Sequence, residues 1–345
     1  VIDPKVESET SGTFTINDGL IEKRDGGIKG RVIDCGGMCL APGIIDIGVK
    51  ICEPGEKHKE SFRSASNAAA TGGVTSFVTR PDTKPAIDNP ELLEFFKNRS
   101  KEFSKVRIFP TASLTKKNNG KKMTEIGFLH DGGAVAFTDG FNSIPNTKTF
   151  HQILKYASDF DTLIIGHPQD HFLTKNTSAS SGVFASIKGL SCSPNMAEKI
   201  GIERDTALIN NLNIRYHADQ VTTKIGLDVL RQAKKSNSQI TAGTSIHHLL
   251  FNELDIGNYR TFFKLKPPLR SNIDREALIE AIREGLIDNI CSMHTPQDEE
   301  SKRLPFEEAA PGAVGLETIL QASLSLYHNK VLSLNQIFRL LALKP

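Results

Sequence analysis

The chain has 345 residues, with 42 Lys and Arg against 40 Asp and Glu and a formal net charge of +2. A balance this near neutrality sets up no field strong enough to draw in nucleic acid or an anionic membrane surface, and no apolar run reaches the roughly 18 residues of a membrane span. The cysteines Cys35, Cys39, Cys52, Cys192 and Cys291 are odd in number and scattered, with no C-x-x-C pair, and no secretory signal is visible; the expectation is reduced thiols in a cytoplasmic protein.

Residues 1–40 are Gly-rich, with short strand-like pieces in INDGLIEKRDG and GRVIDCGGMCLAPG, which predicts the N-terminal part of a small β domain. From residue 41 to 345 strand and helix signals alternate. Apolar runs near 44–49, 74–79, 106–111, 134–138, 162–166, 213–217, 239–245 and 287–292 have the pattern of parallel strands buried on both faces. Asn89-Pro90 starts a helix, with Pro at its first position and an apolar stripe of Leu92, Leu93, Phe95 and Phe96. Thr124 is placed to cap a helix that stops at Asp131-Gly132-Gly133. Ser193-Pro194 opens another that carries Met196, Ile200 and Ala207; Ile225, Leu227, Val229 and Leu230 mark the next, and Ala277, Leu278, Ile279 and Ile282 a further one. Eight strand signals separated by helices predict an α/β fold, a (β/α)8 barrel whose chemistry would sit at the C-terminal ends of the strands.

Residues 41–55, APGIIDIGVKICEPG, resemble the first barrel strand of the dihydroorotase family of the amidohydrolase superfamily, whose pattern is P-G-hydrophobic-hydrophobic-D-x-H-x-H-L-R-E-P-G. Pro42, Gly43, Asp46, Glu53, Pro54 and Gly55 keep the frame, but the two histidine positions hold Gly48 and Lys50 and the substrate-binding arginine position holds Cys52. Glycine has no ligand atom, and a lysine ammonium has three donors and no free lone pair.

The resemblance continues to the end of the chain. GGVTSFVTRPDTKP is similar to GG-x-T-x3-x-MPNT-x-P, with Asp82 at the substrate-binding asparagine position, where its charge would repel a carboxylate. AVAFTDG keeps Asp139, with Gly140 beside it; IIGHPQD keeps His167, with Gln169 at a glutamate position. RYHADQVTT puts Gln220 at a ligand position while His217 matches the upstream histidine, and ITAGTSIHHLL keeps His247 and His248. FFKLKPPLR has Lys266 for an asparagine. CSMHTPQDEESKRLPF has Met293 at the catalytic aspartate, keeps His294, and has Gln297 for a second histidine.

The resemblance implies a TIM-type barrel of the amidohydrolase superfamily, with a small β domain that the C-terminal segment of relatives completes; relatives continue past Pro345, so that segment is expected to be missing here. Active relatives use two zinc ions to activate a water and an aspartate to take its proton. Here the implied expectation is a pseudoenzyme with no catalytic residue, no cofactor, no metal and no substrate-binding residue. Asp139, His167 and His294 remain as vestigial positions from which a weak single zinc site could be built. The implied role is that of the noncatalytic dihydroorotase homologues of bacterial pyrimidine biosynthesis: a structural partner of aspartate carbamoyltransferase within a homo- or hetero-oligomer, with no nucleic acid or membrane partner. Two other readings stay open: a divergent amidohydrolase acting on a cyclic amide with one metal or none, and a dihydropyrimidinase-like scaffold protein. Cys52 and Cys291 on neighbouring strands could form a thiolate site, against the plainer reading of two buried apolar thiols.

Overall fold

The computed structural model of the chain describes residues 1–22, 30–236 and 239–345. Three parallel strands, Ile44–Val49, Val74–Thr79 and Arg107–Pro110, form one arc. Four more, Leu163–Gly166, Arg215–Ala218, Ile240–Ser245 and Asn289–Cys291, form a second arc in chain order. Phe137 joins the two through parallel bridges to Ala112 and Ile164. The Lys50 N–H donates to the His294 carbonyl at 2.8 Å, which closes the first strand against the last. The ring therefore has the eight strand positions expected from the sequence, with the fourth reduced to a bridge.

Helices cover the outside of this ring and bury one stripe each. Asn89 caps the helix Pro90–Phe103 by accepting from the Leu92 N–H at 3.0 Å. Leu93 and Phe96 of that helix are buried, and Phe96 meets Phe62 of helix Phe62–Thr71 edge-on at 4.7 Å; Phe95 faces solvent. Two expected details are corrected. Thr124 does not cap the helix Ile126–Asp131; its hydroxyl donates to the Ser113 carbonyl at 2.6 Å. In helix Met196–Ile209, Met196 and Ile200 point outward, and the buried face carries Glu198 and Asp205. A buried carboxylate is tolerable only with its lone pairs filled. Glu198 accepts from the backbone N–H groups of Thr222 and Thr223 at 2.9 and 2.8 Å and from Gln169 Nε2 at 2.9 Å, and Asp205 accepts from the Tyr216 hydroxyl at 2.5 Å.

Ahead of the barrel, Ile2–Asp3 pairs antiparallel with Ser8–Glu9, and Thr15–Asn17 with Leu20–Glu22. Part of the predicted β segment, residues 23–29, lies outside the described residues. The segment reaches the far end of the chain: Asn335 and Arg339 bond to Glu9 and Glu7. Among the described residues no helix is long and apolar enough to cross a membrane.

Candidate functional site

The C-terminal ends of the strands gather the positions singled out in the sequence. Gly48 lies on the first strand against Met293, which follows the last. A Cβ built on Gly48 would stand 2.3 Å from the Met293 sulfur and 3.2 Å from Cys291 Sγ. The thioether thus fills the volume that a ligand side chain at position 48 would need. Met293 has φ +48° and Gln220 φ +54°, a left-handed conformation that costs an unbranched side chain about 1 kcal/mol.

Lys50 does not stand free. Its ammonium donates to Asp82 Oδ2 at 3.0 Å, and Arg80 Nε donates to Asp82 Oδ1 at 3.3 Å. Burial pushes Asp82 toward protonation, but Arg80 and Lys50 outweigh it and hold the carboxyl below its ordinary range. The repulsion of anions expected from Asp82 is therefore cancelled by two cations. Asp82 lies close over Gly140, 3.3 Å from where a Cβ would be.

Two of the three vestigial positions, Asp139 and His294, are engaged by other residues. Asp139 accepts from the Thr115 N–H at 2.9 Å and from the Thr115 hydroxyl, and burial pushes it up to about 6. His294 lies with Nε2 2.9 Å from Glu60 while Nδ1 accepts from the Gly315 N–H at 3.2 Å, so both ring nitrogens are engaged. His167 Nδ1 is buried without a partner, and burial pushes the imidazole down to about 3. Among the described residues no group of three His, Cys, Asp or Glu side chains is arranged to hold a metal ion. The residues present do not fit a zinc pair: one ligand position has no side chain, one is a cation, and the space is taken by sulfur.

Several of the remaining positions have structural partners. Gln169 is absorbed by Glu198, and Gln297 Nε2 donates to the Pro311 carbonyl at 2.9 Å. His217 Nδ1 lies 2.8 Å from the Thr241 hydroxyl, and His248 Nε2 lies 3.2 Å from the Pro268 carbonyl. His247 and Gln220 line a small cavity with Lys266, Phe141 and Met293. Burial pushes the Cys52 thiol up to about 11 and raises that of Cys291 as well, so neither is a thiolate at neutral pH.

The Dihydro-orotase-like family profile matches residues 37–225. The dihydroorotase of Ehrlichia canis (strain Jake) is 38% identical over 316 residues, 91% of this chain and 70% of that protein. The chain belongs to the dihydroorotase-like family. A dihydroorotase-like protein of Pseudomonas putida is 32% identical over 349 residues, covering 100% of this chain and 82% of that one. Among solved structures, an L-hydantoinase (dihydropyrimidinase) from Arthrobacter aurescens superposes with a TM-score of 0.83 at 24% identity, over 94% of this chain and 75% of that one. At that identity the likeness is one of fold: the amidohydrolase TIM barrel.

Within this dihydroorotase-like barrel, sequence reasoning passed over Arg80 and Asp219. Arg80 is 4% exposed and lies with Cζ 3.8 Å from the centre of the Phe141 ring. Its signal was present, since an arginine stands where the family pattern MPNT has methionine. Asp219 is buried next to Gln220 and pushed up to about 6 by burial, against the pull of Arg80; nothing in the local sequence distinguished it from a solvated aspartate.

Proposed function

We propose that this dihydroorotase-like chain does not carry out metal-dependent cyclic amide chemistry and serves in pyrimidine biosynthesis as a structural partner of aspartate carbamoyltransferase. The observation that carries the first half is the contact between Met293 and Gly48. The base position and a metal-ligand position are occupied by one apolar packing contact, so position 293 offers no proton acceptor and position 48 no metal ligand. Catalysis by general base and by metal-bound water needs both at once.

Surface chemistry supports the second half. Val183 and Ile187 of helix Val183–Lys188, with Tyr259 and Phe262 from the segment bonded to it, leave apolar side chains exposed; the Tyr259 hydroxyl donates to the Lys188 carbonyl at 2.8 Å. Clustered apolar surface of this kind suits a protein interface. Relatives at 37–38% identity carry the name dihydroorotase, which favours this reading over a dihydropyrimidinase-like scaffold.

Co-expression with aspartate carbamoyltransferase followed by size exclusion tests the assignment. The expected result is co-elution, with transcarbamoylase activity or assembly dependent on this chain and unaffected by Lys50→Ala. Separate elution at micromolar concentration, with full transcarbamoylase activity in its absence, would remove the partner. Chelator-sensitive turnover of dihydroorotate by the chain alone would instead favour a divergent amidohydrolase, for which Asp139 and His167, bordering one small cavity, are the nearest metal ligands.

A further inference from the structure

The segments that follow the last two barrel strands carry two buried lysines. Lys264 and Lys302 are 7% and 8% exposed. A buried ammonium is costly unless a carboxylate pairs with it or it gives up its proton. Among the described residues neither has a carboxylate at ion-pair distance. Lys264 Nζ donates to the Glu307 carbonyl at 2.8 Å, and Lys302 Nζ to the Thr261 carbonyl at 3.0 Å. The Thr261 hydroxyl donates back to the Lys302 carbonyl at 2.5 Å. The two segments are thus stitched together, with Lys302 within electrostatic reach of Lys264.

The other charges around them are engaged elsewhere. The Glu307 carboxylate accepts from the Ser191 N–H at 2.7 Å and the Ser191 hydroxyl at 2.6 Å, and its charge reaches Lys264. On helix Glu299–Arg303, which carries Lys302, Arg303 pairs with Glu299 and Glu300 at the exposed surface. Asp298 caps that helix by accepting from the Ser301 N–H at 2.7 Å. Arg260 lies with Cζ 4.6 Å from the centre of the Phe263 ring. Lys264 Nζ is 5.8 Å from the centre of Phe306, which packs in a small buried cluster with Ala179, Ala185, Leu190 and Ile256. Loss of water and a second cation nearby are the two conditions that make a lysine nucleophilic at neutral pH, and Lys302 meets both. Burial first and Lys264 second bring its ammonium down to about 8 from an ordinary 10.5.

We propose that Lys302 is an activated amine, the preferred site on this chain for acylation by small acyl phosphates, with Lys264 as the neighbouring cation that activates it. In this step the neutral Nζ attacks the acyl carbonyl carbon and an N–C bond forms. The C–O bond to phosphate breaks, phosphate leaves with that electron pair, and the surplus amine proton goes to water. The product amide is uncharged, so the reaction removes one of two buried like charges. The site lies apart from the Met293–Gly48 contact and involves no metal; it goes beyond the assembly role and does not depend on it.

Treatment of the full chain with acetyl phosphate, with initial rates at each lysine read by peptide mass spectrometry, tests this. The exposed Lys121 is the internal reference. At pH 7.5 Lys302 should acetylate at least about tenfold faster than Lys121, because its unprotonated fraction is roughly a hundredfold larger and its lower basicity gives back only part of that. The rate at Lys302 should level off above its pKa of about 8, while that at Lys121 climbs on to about pH 10. Lys264→Met should move the levelling-off to higher pH and slow Lys302 at pH 7.5 severalfold; Lys264→Arg, which keeps the cation, should react as wild type. In concentrated urea Lys302 and Lys121 should react alike. The proposal is overturned if Lys302 in the folded wild type reacts no faster than Lys121, if its rate climbs in parallel with that of Lys121 across the whole range, or if folded Lys264→Met has the wild-type profile.

Discussion

The sulfur of Met293 stands 2.3 Å from the point where a Cβ on Gly48 would be. The two positions have become complementary: the absence of a side chain on one strand makes room for a long apolar one on its neighbour. Gly48→Ala should therefore overpack the mouth and destabilise the protein by about 1–3 kcal/mol. Met293→Ala in the same chain should relieve the clash, so that the double variant is less destabilised than the two singles summed, by about 0.5–3 kcal/mol. Urea denaturation of the four proteins measures this coupling, and simple additivity would refute it.

Zinc content follows from the same contact. Purified protein dialysed against a chelator should hold far less than one zinc per chain by elemental mass spectrometry, because too few ligands remain to fix a tetrahedral site. Stoichiometric zinc would show that another ligand set forms in solution.

Turnover should be absent in the wild type and should stay absent in Met293→Asp. Proton transfer and water activation act as a unit, and restoring the carboxylate restores only one of them. A sensitive assay of dihydroorotate hydrolysis and carbamoyl aspartate cyclisation checks both proteins; activity in the single variant would mean that a nucleophile is already activated in this mouth.

Asp82 holds two cations, and its loss should be felt unequally. Asp82→Ala leaves Arg80 buried beside Phe141 with no carboxylate, a change expected to cost about 3–5 kcal/mol. Lys50→Met leaves the Arg80–Asp82 contact in place and should cost roughly 1 kcal/mol or less. Equal losses would mean that Lys50, not Arg80, is the cation Asp82 exists to neutralise.

Acid sensitivity has a definite sign. Burial pushes His167 and His248 down to about 3, and His217 and His247 to about 4, from an ordinary 6.5. Unfolding in the window below 6.5 therefore takes up protons, and the stability these histidines contribute is complete above 6.5 and lost as pH falls toward 4. Asp139 and Asp219, raised from 3.8 to about 6, act oppositely: the native state holds their protons, so their contribution is lost as pH rises through 6. Burial raises Asp46, Asp205 and Glu253 as well, so the histidine contribution is read by difference: from pH 6.5 to 4.5 the Tm of the wild type should fall relative to that of His167→Gln. Parallel Tm profiles for the two proteins would contradict a contribution from His167.

The eight-strand ring was legible in the sequence because parallel strands buried on both faces leave uninterrupted apolar runs, and each run from 44–49 to 287–292 finds its place in the barrel. The helix at Asn89-Pro90 was legible because a cap and a first-turn proline are local signals. The face of helix Met196–Ile209 was misread because Glu198 and Asp205 look like surface residues. Their burial is tolerated because Thr222, Thr223, Gln169 and Tyr216, brought from elsewhere in the barrel, fill their lone pairs, with Arg204 beside Asp205 and Arg270 beside Glu198. The sequence by itself determined which chemical groups are absent: Gly48 offers no ligand atom, Lys50 no lone pair and Met293 no carboxylate, whatever the fold. What fills their place was decided by tertiary structure alone. That Met293 packs over Gly48, that Lys50 reaches Asp82, and that Lys266 and His167 share a cleft are contacts between segments far apart in the chain. Distance, burial and unfilled donors exist only once the barrel closes.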